Sequence, residues 1–277
     1  MIHLLISPSS FDILPFQIGQ NPYLQHQPIH PAKAHTQHAR LVHALSSTIV
    51  CPLPKLHEPL PDIIFMGNAG LSLPRLRHPL ILLPQMKFPQ RQQELPYLKQ
   101  LFHHLHLPTI DYPGVEPFEG QAEVKWFDGG RKAVCGYGFR STKQTYVELD
   151  RLFRKLYGKE KPQLLVLKLA SADFYHLDVA MLKYDNQCIV HRPAFSLNSI
   201  QKLERFLGKQ NVTVIETSDK FALNAIVDGS RLITHKLSDP SVRPMLRALT
   251  GRIIHEIDVS EFEKSGGSVR CMVLDVH

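Results

Sequence analysis

Residues 265–277 read SGGSVRCMVLDVH: two glycines, then Cys271, then an apolar run. A thiol beside side-chain-free backbone marks a place that a ligand can approach closely. The competing reading is an inert cysteine packed as a small hydrophobe, which is what an isolated Cys ordinarily is. What the rest of the chain supplies around such a thiol decides between the two.

At 277 residues, 43% hydrophobic and 21% charged, the chain has the make-up of an ordinary soluble globular protein. It is long enough to bury a sizeable core. No apolar run reaches the ~20 residues that span a bilayer. The opening MIHLLISPSSFDILPF lacks the basic region and long apolar stretch of a signal peptide. Cys51, Cys135, Cys188 and Cys271 are far apart, with no CxxC pair. That spacing disfavours a disulfide scaffold or zinc ribbon and favours a reducing, cytoplasmic setting.

The net charge is +7, from 32 Lys+Arg against 25 Asp+Glu, but the basic residues are dispersed. The densest run, RLFRKLYGKEK, reads as the solvated face of a helix end rather than a nucleic-acid surface. Among sixteen histidines, His35 and His38 stand about one helical turn apart, and FHHLHLP gathers three more. Neither group has a carboxylate or Cys at metal-ligand spacing. No metal, organic cofactor, nucleic acid or membrane is therefore expected; homo-oligomerisation is left open.

Short apolar runs alternate with amphipathic helices, and no Gly/Ser or charged linker divides the chain. HLLIS reads as a strand and PAKAHTQHARLVHALSST as a helix with Ala34, His38, Leu41 and Leu45 on one face. DIIFMGNAGLSL reads as strand, turn, strand, and PQRQQELPYLKQLFHHL as a helix. QAEVKWFDGGRKAVCGYG reads as a hairpin turning at residues 128–130. Ser141 or Thr142 caps the next helix, which buries Tyr146, Leu149, Phe153 and Leu156 and ends at Gly158.

QLLVLKL, VAMLKY, QCIVH, NVTVIE, RLITHKL, RIIHEIDV and SVRCMVLDV then read as strands. SIQKLERFLG and SDPSVRPMLRALTG read as helices among them. The rhythm is two strands, a helix and another strand. It lacks the strict alternation and Gly-rich first turn of a parallel dinucleotide-binding sheet, and fits a radially repeated architecture better.

A nucleophilic thiol needs an acid or base partner and groups to bind its electrophile. FYHLDVAML offers His176 and Asp178 at i, i+2, which in a strand point to one face. Glu119 precedes a glycine before a strand, Asn68 sits in a glycine-flanked turn, and Arg140 follows two glycines at a strand end. Each alone has a plain explanation as a cap, turn residue or surface charge. Together they place polar residues at strand ends and leave strand interiors apolar.

These segments resemble the guanidine-modifying superfamily, the pentein fold. It includes arginine deiminase, arginine dihydrolase, dimethylarginine dimethylaminohydrolase and the amidinotransferases. The matching pieces run in family order over nearly the whole chain: QNPYL, FMGNAGL, FPQRQQE, FEGQAEV, GYGFRST, YHLD, FALNAIV and GGSVRCM. The resemblance implies an α/β propeller of five ββαβ modules around a central active-site pore, with residues 1–277 forming one domain. It implies Cys271 as nucleophile through a covalent thiouronium and His176 as general acid and base. Glu119 and Asp178 would hold the guanidinium N–H groups, and Arg140 and Arg91 the substrate's α-carboxylate. On the residues alone, Arg91 reads as a helix-surface residue.

Asn68 stands where deiminases carry an aspartate, and with Asn21 it resembles the dihydrolase branch, which releases ornithine, ammonia and carbon dioxide from arginine. Ala122-Glu123 replaces the Gly-Asp usual after the FEG motif, so Glu123 is expected to alter recognition of the substrate's amino-acid end. The expected activity is a cysteine-dependent hydrolase of arginine or a simple derivative, giving ornithine or citrulline. The alternatives are a dimethylarginine dimethylaminohydrolase, an amidinotransferase, or a non-catalytic protein on the same fold.

Overall fold

Strand β1 (Ile2–Ile6) leads through helix α1 (Pro31–Ala44) to β2 (Thr48–Cys51), laid parallel to it. The unit that follows recurs: an antiparallel pair, a helical segment, and a third strand parallel to the second. β3 (Leu71–Ser72) and β4 (Ile81–Leu82) are joined to β5 (Thr109–Ile110) by α2 (Pro89–Gln92) and α3 (Leu95–His104). β6 (Val124–Phe127) and β7 (Lys132–Tyr137) lead through α4 (Lys143–Tyr157) to β8 (Gln163–Lys168). A one-turn helix α5 (Leu177–Ala180) precedes β9 (Met181–Tyr184), β10 (Gln187–His191), α6 (Leu197–Leu207) and β11 (Val212–Ile215). β12 (Ile226–Asp228), β13 (Arg231–His235), α7 (Val242–Thr250) and β14 (Ile253–Ile257) repeat the pattern. After α8 (Ser260–Glu263), β15 (Leu274–Val276) returns antiparallel to β1 and completes the first unit.

In this computed structural model the described residues are 1–277 without 18, 21, 26, 53 and 54. Among them are five three-stranded sheets, each a ββαβ unit, as the sequence rhythm and the resemblance imply. Local chemistry accounts for the helices. In α4, the Thr142 hydroxyl accepts from the Gln144 N–H at 3.2 Å, and Gly158 ends the helix at φ 55°. Tyr146, Leu149 and Phe153 are buried beneath it, each worth roughly 1.5–3 kcal/mol. The helix read over residues 89–105 is broken in two at residues 93–94, where Pro96 demands a new first turn.

Three strand readings give way to turns. DIIF and MGN form short 3₁₀ segments, Pro61–Ile64 and Met66–Asn68, and only Leu71–Ser72 of that stretch is strand. VAMLKY begins as helix, so His176 is the extended residue capping α5 and Asp178 lies in its first turn, not together on a strand face. SVRCMVLDV is strand only from Leu274, which leaves Cys271 in the turn before it.

The first strand of each antiparallel pair (β3, β6, β9, β12, β15) forms the inner edge of its sheet. Side chains tie neighbouring inner edges together. Trp126 Nε1 donates to Ser72 O at 3.2 Å, and the Asp275 N–H donates to Gln121 Oε1 at 3.1 Å. Apolar clusters fill the spaces between adjacent modules, for example Leu71, Leu82, Phe118, Leu149 and Phe153.

Candidate active site

Each module contributes polar residues from the turn that enters its inner strand. Asn68 precedes β3, Glu119 precedes β6, His176 and Asp178 precede β9, Asn224 precedes β12, and Cys271 precedes β15. The entrances converge on one cleft lined by Asn68, Arg91, Arg140, His176 and Cys271, with the rings of Phe65 and Tyr175. Two glycines permit the closeness. Gly67 N donates to Cys271 O at 2.7 Å, and a Cβ on Gly67 would lie 2.9 Å from that oxygen. A Cβ on Gly267 would fall 2.2 Å from the Phe65 ring, so this glycine seats an aromatic wall of the cleft.

Glu119, 0% exposed, is engaged by the protein at both oxygens. Its Oε2 lies 2.7 Å from His176 Nε2 and accepts from an Arg140 guanidinium N–H at 2.7 Å, while Oε1 accepts from the Lys87 N–H at 3.1 Å. Burial alone would raise its pKa, but Arg140 and His176 outweigh burial and hold the carboxyl far below the usual range. For His176, burial wins over Glu119 and lowers the pKa, so the imidazole rests neutral at neutral pH. Through these contacts its oxygens orient His176 and Arg140.

Asp178 is the carboxylate with spare capacity. Its Oδ2 faces the Cys271 thiol at 3.8 Å, and its buried Oδ1 has no hydrogen-bond partner among the described residues. Cys271 is 5% exposed. Burial, then the charge of Asp178, pushes its thiol up to about 12; the Ser268 backbone, the Asn224 amide and Lys125 pull the other way. Asn224 Nδ2 donates to Sγ at 3.3 Å, and its Oδ1 accepts from the Arg270 N–H at 2.9 Å. FALNAIV fits the family pattern, yet the sequence alone gives Asn224 no assigned role. Its place two residues before an inner strand was the available signal.

Arg91 is 4% exposed, not the surface residue its helix position suggests. It pairs bidentately with Glu94 at 2.8 and 3.0 Å and donates to Asn68 Oδ1 at 3.1 Å. Because an arginine can only donate, this contact fixes the Asn68 amide with its oxygen towards Arg91. Arg140 also donates to Gln20 O at 3.0 Å, lies 4.9 Å over the Phe88 ring and keeps its buried Nε without a partner among the described residues. Glu123 does not reach the cleft. It accepts from the Glu119 N–H at 3.1 Å, and burial pushes it up to about 8. Asn21 lies outside the described residues.

Among the described residues no group of three or more His, Cys, Asp or Glu is placed to hold a metal ion. The buried His38 is driven down to about 4 by burial.

The fold has close counterparts among solved structures. The N-terminal domain of ArgZ bound to product, an arginine dihydrolase, superposes with a TM-score of 0.83 at 24% identity, covering 99% of this chain and 96% of that one. A dimethylarginine dimethylaminohydrolase variant, as its adduct with S-methyl-L-thiocitrulline, gives 0.73 at 17%, covering 99% and 98%. In sequence, the chain is 26% identical over 279 aligned positions to the bifunctional arginine dihydrolase/ornithine cyclodeaminase ArgZ of Synechocystis sp.. It is 26% identical over 219 to the N(G),N(G)-dimethylarginine dimethylaminohydrolase of Mycobacterium tuberculosis. The chain has the pentein fold of these guanidine-modifying enzymes. No family model matches it. The match covers 99% of this pentein chain but 37% of ArgZ, and 79% against 67% for the mycobacterial protein. For AgrE of Nostoc sp., at 29% identity, the shares are 78% and 29%. The chain thus spans about a third of the length of its bifunctional relatives.

Proposed function

We propose that this pentein is a cysteine-dependent hydrolase of the guanidino group of arginine, and that it acts as an arginine dihydrolase. One observation carries the reading: a buried thiol and a neutral imidazole oriented by a carboxylate line one cleft, and beside the thiol a buried Asp178 oxygen has no hydrogen-bond partner among the described residues. Relatives named for arginine dihydrolase activity support it. A guanidinium entering beside Asp178 would satisfy Oδ1 with an N–H and bring a positive charge to Sγ, which favours the thiolate.

The thiol proton passes to His176, where Glu119 stabilises the imidazolium. The sulfur forms a bond to the guanidinium carbon, and the departing nitrogen takes the proton from His176 and leaves as ammonia. The thiouronium that remains is attacked by a water whose proton His176 accepts. Breaking the C–S bond releases a ureido product, citrulline, and restores the thiol. A second attack on the retained citrulline releases another ammonia and leaves a thiocarbamate. Its hydrolysis gives ornithine and carbon dioxide.

Asn68 favours this second round. An amide fixed by Arg91 has no charge with which to prefer cationic arginine over neutral citrulline. In the same reading, residues 1–277 work as one catalytic domain without a cofactor, in the reducing cytoplasm, where four free cysteines are stable. The test is incubation with arginine while citrulline, ornithine and ammonia are measured together. Ornithine with two ammonia per arginine is expected. Stoichiometric citrulline would make the enzyme a deiminase, and turnover of dimethylarginine alone would overturn arginine as the substrate.

A further inference from the structure

Along the same inner strands the ring of sheets encloses a second cavity, of about 220 Å³. Its charged lining includes Lys125 on β6, Lys183 on β9, and Arg270 and Asp275 flanking the entry to β15 and within it. Its acids are already matched: Asp275 lies 2.8 Å from Arg270 and 2.7 Å from His3, and Asp185 lies 2.7 Å from Arg252. Lys125 and Lys183 are not. Both are partly buried, and among the described residues neither ammonium has a hydrogen bond or an ion pair.

Burial lowers the pKa of both, that of Lys125 to about 8, against the opposing fields of Asp178 and Asp275 on Lys125 and of Asp185 and Asp275 on Lys183; a half-buried lysine without a direct ion pair is uncommon. Part of the wall is apolar, with Leu71, Met181, Leu223 and Ile226. The cavity therefore offers two ammonium groups, one guanidinium edge and room for a small hydrocarbon body.

We propose that this cavity is a binding site for a small organic dianion, a phosphate monoester or dicarboxylate, held by Lys125 and Lys183. Two lysines act as point charges and suit either oxyanion. The apolar wall takes the carbon skeleton. The site is separate from the cleft that holds Cys271, and it stands independently of the activity proposed above.

Trp126 lines the cavity and is the chain's single tryptophan, so its emission reports occupancy. The experiment titrates the protein with inorganic phosphate and with succinate at constant ionic strength set by chloride. A saturable change in emission with either anion is expected, and which of the two binds more tightly identifies the oxyanion. Lys125→Met with Lys183→Met should weaken it at least tenfold, while the exposed Lys202→Met should not alter it. If the double variant fails to fold, Lys183→Gln alone should still weaken binding severalfold, and the anion should raise the melting temperature of the unaltered protein. No saturable response to either anion, or an affinity unchanged by the lysine substitutions, would overturn the site.

Discussion

At the entrances of the inner strands, charged side chains are locked to one another: Glu119 to His176 and Arg140, Arg91 to Glu94. Along the strands, the ammonium groups of Lys125 and Lys183 face a second cavity with no hydrogen bond or ion pair among the described residues, while Asp185 and Asp275 pair with arginines. The same strands and ring carry both sites, so the difference lies in compensation. Groups whose hydrogen-bonding capacity is consumed by the protein can only orient others. Atoms left over are those that a ligand can satisfy, because burying them unpaired costs roughly 1–3 kcal/mol each. At the cleft, Asp178 Oδ1 and Arg140 Nε are left without a partner among the described residues.

The largest effect that tests this division falls on Cys271. Cys271→Ser should reduce turnover by about 10⁴-fold or more, as loss of a nucleophile does, with circular dichroism unchanged. Cys51, Cys135 and Cys188 are packed in sheets and cores; their change to Ala should lower stability and spare turnover. Activity retained in Cys271→Ser would remove the thiol from the chemistry. His176→Ala should follow at ~10²–10⁴-fold, the ordinary contribution of a general acid and base. Single-turnover kinetics would separate its loss in ammonia release from its loss in hydrolysis of the intermediate.

The ring of modules was legible because strand pairs and helices recur, and the first and last strands had only to meet. The entrances were less legible. Residues such as Ile63, Ile64 and Met66 are apolar because they are buried, and a short buried run looks alike as strand or 3₁₀ turn. The i, i+2 placement of His176 and Asp178 pointed to one site although its premise, a strand, gives way to a helix cap and first turn. Arg91 and Glu119 show a deeper limit. Which donor occupies which oxygen is decided by segments far apart in sequence, such as Lys87 reaching Glu119, and no local pattern carries that information.

A third test concerns the frame behind the cleft. His235 lies 2.8 Å from both Asp219 and Glu263, and Glu263 accepts from the hydroxyl of Ser268 in the turn before Cys271. Burial alone would lower the His235 pKa, but the two carboxylates raise it to about 9. A folded-state pKa above the unfolded value of 6.5 gives stability that is complete below 6.5 and lost as pH rises through about 9. The loss should approach about 3 kcal/mol, seen as a fall in the urea midpoint between about pH 6.5 and 9.5. His235→Gln should flatten that dependence. An equally steep fall in the variant would assign it to another group.

Asn224 sharpens the comparison at the entrance end, since its amide spends one hydrogen on the thiol. Asn224→Leu keeps the size and removes a hydrogen bond that favours the thiolate. Such bonds to charged groups are worth about 1.5–3 kcal/mol, so alkylation of Cys271 at fixed pH should slow roughly tenfold or more. Unaltered alkylation would reduce Asn224 to a prop for the Arg270 backbone.

The smallest expected effect joins the two sites. Lys125 lines the far cavity, yet its charge acts on both Cys271 and Asp178, opposing the carboxylate's upward push on the thiol. Without that cation the negative field of Asp178 is uncompensated, and the thiolate becomes harder to form. Lys125→Met should therefore raise the pH at which Cys271 alkylates, by less than about one pKa unit, and slow alkylation on the order of threefold. An anion seated on Lys125 should act in the same direction by neutralising the same charge, and it should have no such effect in the variant. If the Cys271 titration is identical with and without Lys125, the two sites are electrostatically independent, and the far cavity has no influence on the thiol.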